Sequence, residues 1–259
     1  MNLSVVIVTY GRCKDCREAV ESVLKGKILP REVIVVDDHP SKIFTYDDSP
    51  MVKVVHTLRE IGVSACRNIA IKLSKGDVIA FLDDDVVVDE NWACEILNCF
   101  KEKPEIGVVF GKIKPLYLAP LPKWWNEKIF SWVISVNMAA GANFAVRKNI
   151  FENFGYFREE LGIIKGKRFN LEDLEFKKRV KKVSKVFFCE KAIVYHKVPP
   201  HRLSRRYVLK RCFSEGRGRR ILGTYTVKDA IKGICYSLVR LPRFNALCNL
   251  VLWLGYFLG

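Results

Sequence analysis

Lys75-Gly76-Asp77-Val78-Ile79-Ala80-Phe81-Leu82-Asp83-Asp84-Asp85-Val86 is the stretch on which the reading of this chain turns. Lys75-Gly76 stops a helix, Asp77 to Leu82 forms an apolar strand, and three carboxylates crowd the strand's end. Adjacent carboxylates repel one another, and burying them without a counter-charge is expensive. A bound divalent cation relieves both problems, and an oxygen-rich site suits Mg²⁺ or Mn²⁺. Read alone, the triplet is equally an acidic loop in water or a helix cap ahead of Asn91.

On its N-terminal side the chain repeats one pattern. Leu3 to Tyr10 is a continuous β-branched run that suits a strand buried on both faces, and Gly11 ends it. Cys16, Ala19, Val20, Val23 and Leu24 recur at helical spacing up to Gly26. Glu32 to Asp38 is a second buried strand that ends in Asp37-Asp38, and Met51 to His56 is a shorter one. Val63 to Leu73 predicts a second helix, Trp92 to Phe100 a third, and Ile106 to Val109 another strand. Alternating strands and helices imply βαβ units and a mostly parallel sheet. Such sheets bind ligands at the carboxyl ends of their strands, here Thr9-Tyr10, Asp37-Asp38 and the acidic triplet. The glycine-rich phosphate loops of dinucleotide binders and P-loop NTPases are missing.

The bulk numbers permit one large domain with an appendage. The chain has 259 residues, is 49% hydrophobic and 28% charged, and can bury a sizeable core. Nine cysteines without repeated spacing, Cys13-x-x-Cys16 included, read as core residues in a reducing cytosol. No signal peptide is expected, because Val5 to Val8 is too short and lacks a basic flank. The net charge is +16, and Lys197 to Gly259 supplies +11 of it, from thirteen Lys and Arg against Glu215 and Asp229. Charge gathered at one end points to an anionic partner: phospholipid, nucleic acid or a phosphate-bearing substrate.

Six segments in order resemble the family 2 glycosyltransferases, which have the GT-A fold and use nucleotide-sugar donors. They are Val5 to Arg12, Glu32 to Asp38, Gly62 to Asn68, Phe81 to Asp85, Gly141-Ala142-Asn143 and Glu172-Asp173, and the resemblance covers about residues 3 to 197. One departure is Asp38-His39-Pro40-Ser41, where the family usually has Asp-Gly-Ser. The implied fold is α/β: a Rossmann-like, mostly parallel central sheet flanked by helices, with a C-terminal helical extension. The implied division is a glycosyltransferase domain over 1–200, its nucleotide-sugar half 1–113 and its acceptor and catalytic half 114–200. Residues 201–259 form the extension.

The resemblance also implies roles. Thr9 and Tyr10 line the base pocket, with Arg12 in the same segment on the donor side. Asp38 accepts from base or ribose, with Asp37 as its partner, and Arg67 lies near base and diphosphate. Asp83 faces the ribose and the metal, Asp85 binds the metal, and Asp84 can exchange roles with Asp83. Gly141 and Asn143 sit at the donor-sugar and acceptor side. Glu172 precedes Asp173, the general base, at the start of a helix in Phe169 to Phe176 that continues through Val180. His196 is a candidate third ligand for Mn²⁺ or Mg²⁺, or a structural histidine. Trp124 and Trp125, in the loop from Pro120 to Trp132, can stack on sugar, sit at a membrane interface or pin the loop to the core.

Beyond His201 the tail is basic and then apolar. His201 to Arg220 holds eight Arg and Lys with Glu215 alone against them. Ile231, Ile234, Cys235, Leu238 and Leu241 follow helical spacing, Pro242 interrupts, and Phe244 to Leu258 is almost wholly apolar. As a helix the last run is roughly 22 Å long, against a bilayer core of about 30 Å. It suits a helix lying in the interface of an anionic membrane.

The expected activity is therefore inverting, metal-dependent transfer of a sugar from a nucleotide-diphosphate sugar, UDP-linked by default. The acceptor is a saccharide, a lipid-linked saccharide or a lipid phosphate, in cell-surface or glycoprotein glycan assembly. The place is the cytoplasmic face of the cell membrane, peripherally bound. A sugar-phosphate nucleotidyltransferase is the other enzymatic reading, but Tyr10-Gly11-Arg12-Cys13 lacks that family's glycines. A nucleic-acid binder would interleave aromatics with the basic residues, whereas here they cluster after Leu241. A catalytically dead sugar- or lipid-binding module has no need of both Asp85 and Asp173.

Overall fold

Strand alternation in the first half of the chain builds two cores at once. β1 (Leu3–Thr9), β2 (Glu32–Asp37), β3 (Val52–His56) and β4 (Val78–Asp83) pair in parallel, in the spatial order β3-β2-β1-β4. Side chains two apart share a face. Val5, Ile7, Val33, Val35, Ala80 and Leu82 enter one core with α1 (Cys13–Leu24) and α3 (Trp92–Glu102). Val6, Ile34, Val36, Ile79 and Phe81 enter the other, against Cys66, Ala70 and Ile71 of α2 (Val63–Leu73). Both faces are covered, which is why these strands read as unbroken apolar runs.

The second half completes the sheet with β5 (Val86–Val88), β6 (Ile106–Tyr117), β7 (Asn143–Arg147) and β8 (Lys185–Val198). Among the described residues the order is β3-β2-β1-β4-β7-β6-β8-β5, with four parallel and three antiparallel pairings. The sheet is thus mostly parallel, as expected. β6 runs eight residues past the expected end at Val109. Its β7 partner covers only Val108 to Phe110, while β8 accompanies it to Tyr117. Beyond Phe110 its burial is mixed, which admits Lys112, Lys114 and Pro115 and hides the strand from a search for apolar runs. Short helices α4 (Glu127–Phe130) and α5 (Lys148–Phe154) precede α6 (Glu172–Val180).

The tail forms α7 (Arg205–Ile221), α8 (Val227–Leu238) and α9 (Phe244–Leu258). α7 and α9 cross backbone to backbone. A Cβ on Gly216 would strike the Leu252 carbonyl, and one on Gly255 the Phe213 carbonyl. Val208, Cys212, Ala230, Leu252, Trp253 and Tyr256 form a third apolar cluster with Phe130.

The computed structural model describes residues 1–130, 141–162, 172–221, 223, 226–238 and 243–258. Trp132, Phe169 to Leu171, Leu241 and Pro242, named above as parts of a loop and of helical patterns, lie outside the described residues.

Candidate active site

Strand register brings the acidic ends together. Thr9 stands opposite Asp37 and Val8 opposite Asp83, so the carboxyl ends of β1, β2 and β4 share one edge. β5 and β8 then place a histidine there. Their antiparallel register pairs Val86 with His196, and the Lys197 amide donates to the Asp85 carbonyl at 2.9 Å. His196 Nε2 therefore lies 3.0 Å from Asp85 Oδ1. Ligand atoms of Asp83, Asp85 and His196 all fall within 4.8 Å of one another. Two carboxylates and an imidazole fit a divalent cation, with further ligands from water and substrate phosphate.

The acidic triplet divides by direction. Asp84 turns away from that cluster and accepts from Thr9 Oγ1 at 2.8 Å and from Arg12 Nη1 at 2.8 Å. Burial pushes its carboxyl up to about 7, with the Arg12 charge opposing. Asp85 Oδ2 accepts from Arg12 Nη1 at 2.6 Å and from Arg202 Nη2 at 2.9 Å. Burial works against ionisation of Asp85, but the His196 hydrogen bond and the charges of His196, Arg202 and Arg12 hold it well below the usual carboxylate range. For His196, burial favours the neutral ring, and the hydrogen bond and charge of Asp85 outweigh it and raise its pKa. Partial burial and then the Asp85 charge push Asp83 up.

Arg67, on α2, joins this cluster to the start of α6. Its Nη1 donates to Glu172 Oε1 at 3.1 Å and to Asp173 Oδ1 at 3.3 Å, and Nη2 lies 3.7 Å from Asp83 Oδ1. The guanidinium rests over the rings of Phe144 and Phe157, 5.7 Å from each centroid. Glu172 is buried; burial first, then the Asp173 charge, push its carboxyl well above the usual range, with Arg67 opposing. The Asp173 side chain keeps 23% exposure against 5% for Glu172, so of the two it is Asp173 that meets solvent. Gly141 packs directly on Asp173, and a Cβ there would collide with Oδ2.

The remaining expected residues make their contacts within the fold, and Tyr10 stays half exposed. Asp38 is buried; Oδ1 accepts from Thr57 Oγ1 at 2.9 Å and the Ile61 amide at 3.0 Å, and Oδ2 from the Gly62 amide at 2.8 Å. It thus fixes the turn into α2. Asp37 accepts from the amides of His39 at 3.1 Å and Phe44 at 3.0 Å. Tyr10 is half exposed at the end of β1, its ring 5.1 Å from that of His39. Asn143 does not reach the cleft. It is fully buried; Oδ1 accepts from Trp92 Nε1 at 2.9 Å, and Nδ2 donates to the carbonyls of Lys112 at 3.1 Å and Ala192 at 2.9 Å. Trp124 packs edge-on to Phe130 and Phe244, with Arg205 over its ring at 5.6 Å, and Trp125 packs on Phe130. Of the three readings of these tryptophans, the contacts seen are those of a loop pinned to the C-terminal helices.

The family model for glycosyl transferase family 2 matches residues 4–159. The chain belongs to that family. A glucosyl-dolichyl phosphate glucuronosyltransferase of Haloferax volcanii is 26% identical over 243 residues, which is 86% of this chain and 77% of the relative. Glycosyltransferase GlyG of Streptococcus pneumoniae is 31% identical over 116 residues, 42% of this chain and 38% of GlyG. Among solved structures, S. aureus TarS in complex with UDP-GlcNAc aligns with a TM-score of 0.57 at 20% identity, over 83% of this chain and 66% of that one. GalNAc-T7 with UDP, GalNAc and Mn²⁺ aligns with a TM-score of 0.60 at 19% identity, over 94% of this chain and 52% of that one. The chain therefore spans half to two thirds of these solved glycosyltransferases, and they share its GT-A fold. It is a glycosyltransferase.

One residue at this cluster was not singled out from the sequence. Arg202 appeared only as one of eight basic residues, yet it reaches Asp85 and stands 3.3 Å from His196. The available signal was its position six residues after His196, past Pro199-Pro200, in a turn that brings the chain back to the strand it has just left.

Proposed function

We propose that this glycosyltransferase moves a sugar from a UDP-sugar to a hydroxyl of a lipid-linked saccharide or a lipid phosphate, with inversion at the anomeric carbon. The carrying observation is Arg67, which draws Asp173 to the same cleft as Asp83, Asp85 and His196. The acceptor oxygen attacks the anomeric carbon as its proton passes to an Asp173 carboxylate oxygen, and the bond from that carbon to the diphosphate breaks. Asp85, Asp83 and His196 would hold a divalent cation, Mn²⁺ or Mg²⁺, that supplies positive charge opposite the departing diphosphate. Arg12 and Arg202 bring further positive charge to that edge. Tyr10 and the Asp37-Asp38 turn offer the nucleoside its place. Residues 1–113 form the donor half, 114–200 the acceptor half, and 201–259 hold the protein peripherally on the cytoplasmic face of the membrane. Support for the donor comes from TarS with UDP-GlcNAc, and for a lipid-linked saccharide acceptor from the Haloferax relative, whose name specifies a glucosyl-dolichyl phosphate.

Thermal unfolding with UDP, GDP and dTDP, each with and without Mn²⁺, tests the donor site. A ligand that binds only the folded state at a hundred times its Kd adds about 2.7 kcal/mol. UDP with Mn²⁺ is expected to raise the midpoint most, and Asp85→Asn to remove the part that depends on metal. No rise with any nucleotide would overturn the reading. A second test uses Gly141→Ala. The added methyl displaces Asp173 from its seat. A shift of about 1 Å in a positioned group can cost about a hundredfold in rate. We expect a loss of that order in kcat, with the UDP response kept. Unchanged kcat would remove Asp173 from the reacting position.

A further inference from the structure

α8 and α9 form an antiparallel pair. Asn249 Nδ2 donates to Ser237 Oγ at 2.8 Å, and a Cβ on Gly233 would meet the Trp253 ring, so contacts advance along α9 as they retreat along α8. Each helix carries an apolar stripe that this contact leaves uncovered. On α8, Val227, Ile231, Cys235 and Leu238 are exposed at helical spacing, Val227 at 55%, Ile231 at 53% and Leu238 at 54%. On α9, Leu247, Leu254, Phe257 and Leu258 are exposed, and the helix contains no charged residue. At about 100° per residue, each stripe lies roughly 140° around its helix from the shared contact, in the same rotational sense. Antiparallel helices are viewed from opposite ends, so equal senses bring both stripes to one side of the pair.

The fringe of that face is basic. Lys228 and Lys232 flank the α8 stripe, and Arg243 is exposed just ahead of α9. Asp229 is the one acid on either helix, and its carboxylate is turned back to cap Thr226. Pairing two copies through this face would gather like charges with no acid to meet them. Neither helix is long and apolar enough to cross a membrane.

We infer that the α8 and α9 pair is an in-plane membrane anchor. It presents Val227, Ile231, Leu238, Leu247, Leu254 and Leu258 to the acyl boundary of an anionic bilayer, with the lysines and Arg243 at the headgroups. The inference rests on the peripheral-membrane reading above and names the surface that performs it. Apolar contact with the acyl boundary and attraction to anionic headgroups add in such helices, so both should be measurable.

The test is flotation of the full-length protein with vesicles of phosphatidylglycerol and phosphatidylcholine, and with phosphatidylcholine alone. The wild type is expected to float with the anionic vesicles, and less so as salt is raised. Ile231→Glu combined with Leu254→Glu replaces two exposed side chains and is expected to lower partitioning at least about tenfold. The UDP response in thermal unfolding serves as the control for folding. A wild type that does not float overturns the membrane reading and this inference together, and leaves the donor site untouched. A folded double variant that floats like the wild type overturns the assigned face alone. A wild-type dimer that the double variant converts to monomer, without vesicle binding by either, assigns the face to a second copy.

Discussion

Asp173→Asn is expected to abolish sugar transfer while donor binding survives. A positioned general base contributes about 10²–10⁴ in rate, and an amide cannot accept the proton. The substitution is close to isosteric, and Asn keeps an oxygen for Arg67 Nη1, which lies 3.3 Å from Asp173 Oδ1. Gly141, packed on the carboxylate, therefore keeps its place. Asp83, Asp85 and His196 are untouched, so the UDP response with Mn²⁺ should match the wild type. Single-turnover transfer from UDP-sugar separates the chemical step from product release. A kcat near the wild-type value would exclude Asp173 as the base. Loss of both transfer and UDP binding would make Asp173 a donor contact instead.

What could be read in advance followed the local physics of the strands. β1, β2 and β4 are buried on both faces, so their sequences are unbroken apolar runs, and their polar ends announce the ligand edge. The side-chain period of two then divides residues between the cores without further information. Long-range register is another matter. His196 reaches Asp85 because β5, three residues long, pairs with the far end of β8 across more than a hundred residues. Nothing local to either segment encodes that pairing. Asn143 shows the limit of a motif: its place beside Gly141 suggests the cleft, but the strand turns its side chain inward to Trp92 and the β6 and β8 carbonyls. Trp124 reads three ways because one of its ring partners, Phe244, lies more than a hundred residues on.

Arg67→Met is expected to cost about 3–5 kcal/mol of stability, the usual penalty for stripping one partner from a buried ion pair. Met keeps a straight apolar side chain against Phe144 and Phe157, so packing changes little and the lost charge is isolated. Glu172, 4% exposed, is then left with no cation in its contacts among the described residues. Its folded carboxyl already sits well above the ordinary 4.5, through burial and the Asp173 charge. A raised folded pKa means that the folded state holds the proton more tightly than the unfolded state. Stability from this group is therefore full below 4.5 and is lost as pH rises toward the folded value. Removing Arg67 moves that folded value higher still, so the deficit against the wild type grows as pH rises through the wild-type folded value and shrinks below it. Urea unfolding of both proteins across that range measures it. Adding Glu172→Gln should restore part of the loss, because an amide is cheaper to bury than an unpaired charge. Equal urea midpoints for Arg67→Met and wild type at neutral pH would show that the guanidinium does not hold α6 to β4. Asp173 would then owe its position to Gly141 and the start of α6 rather than to the ion pair.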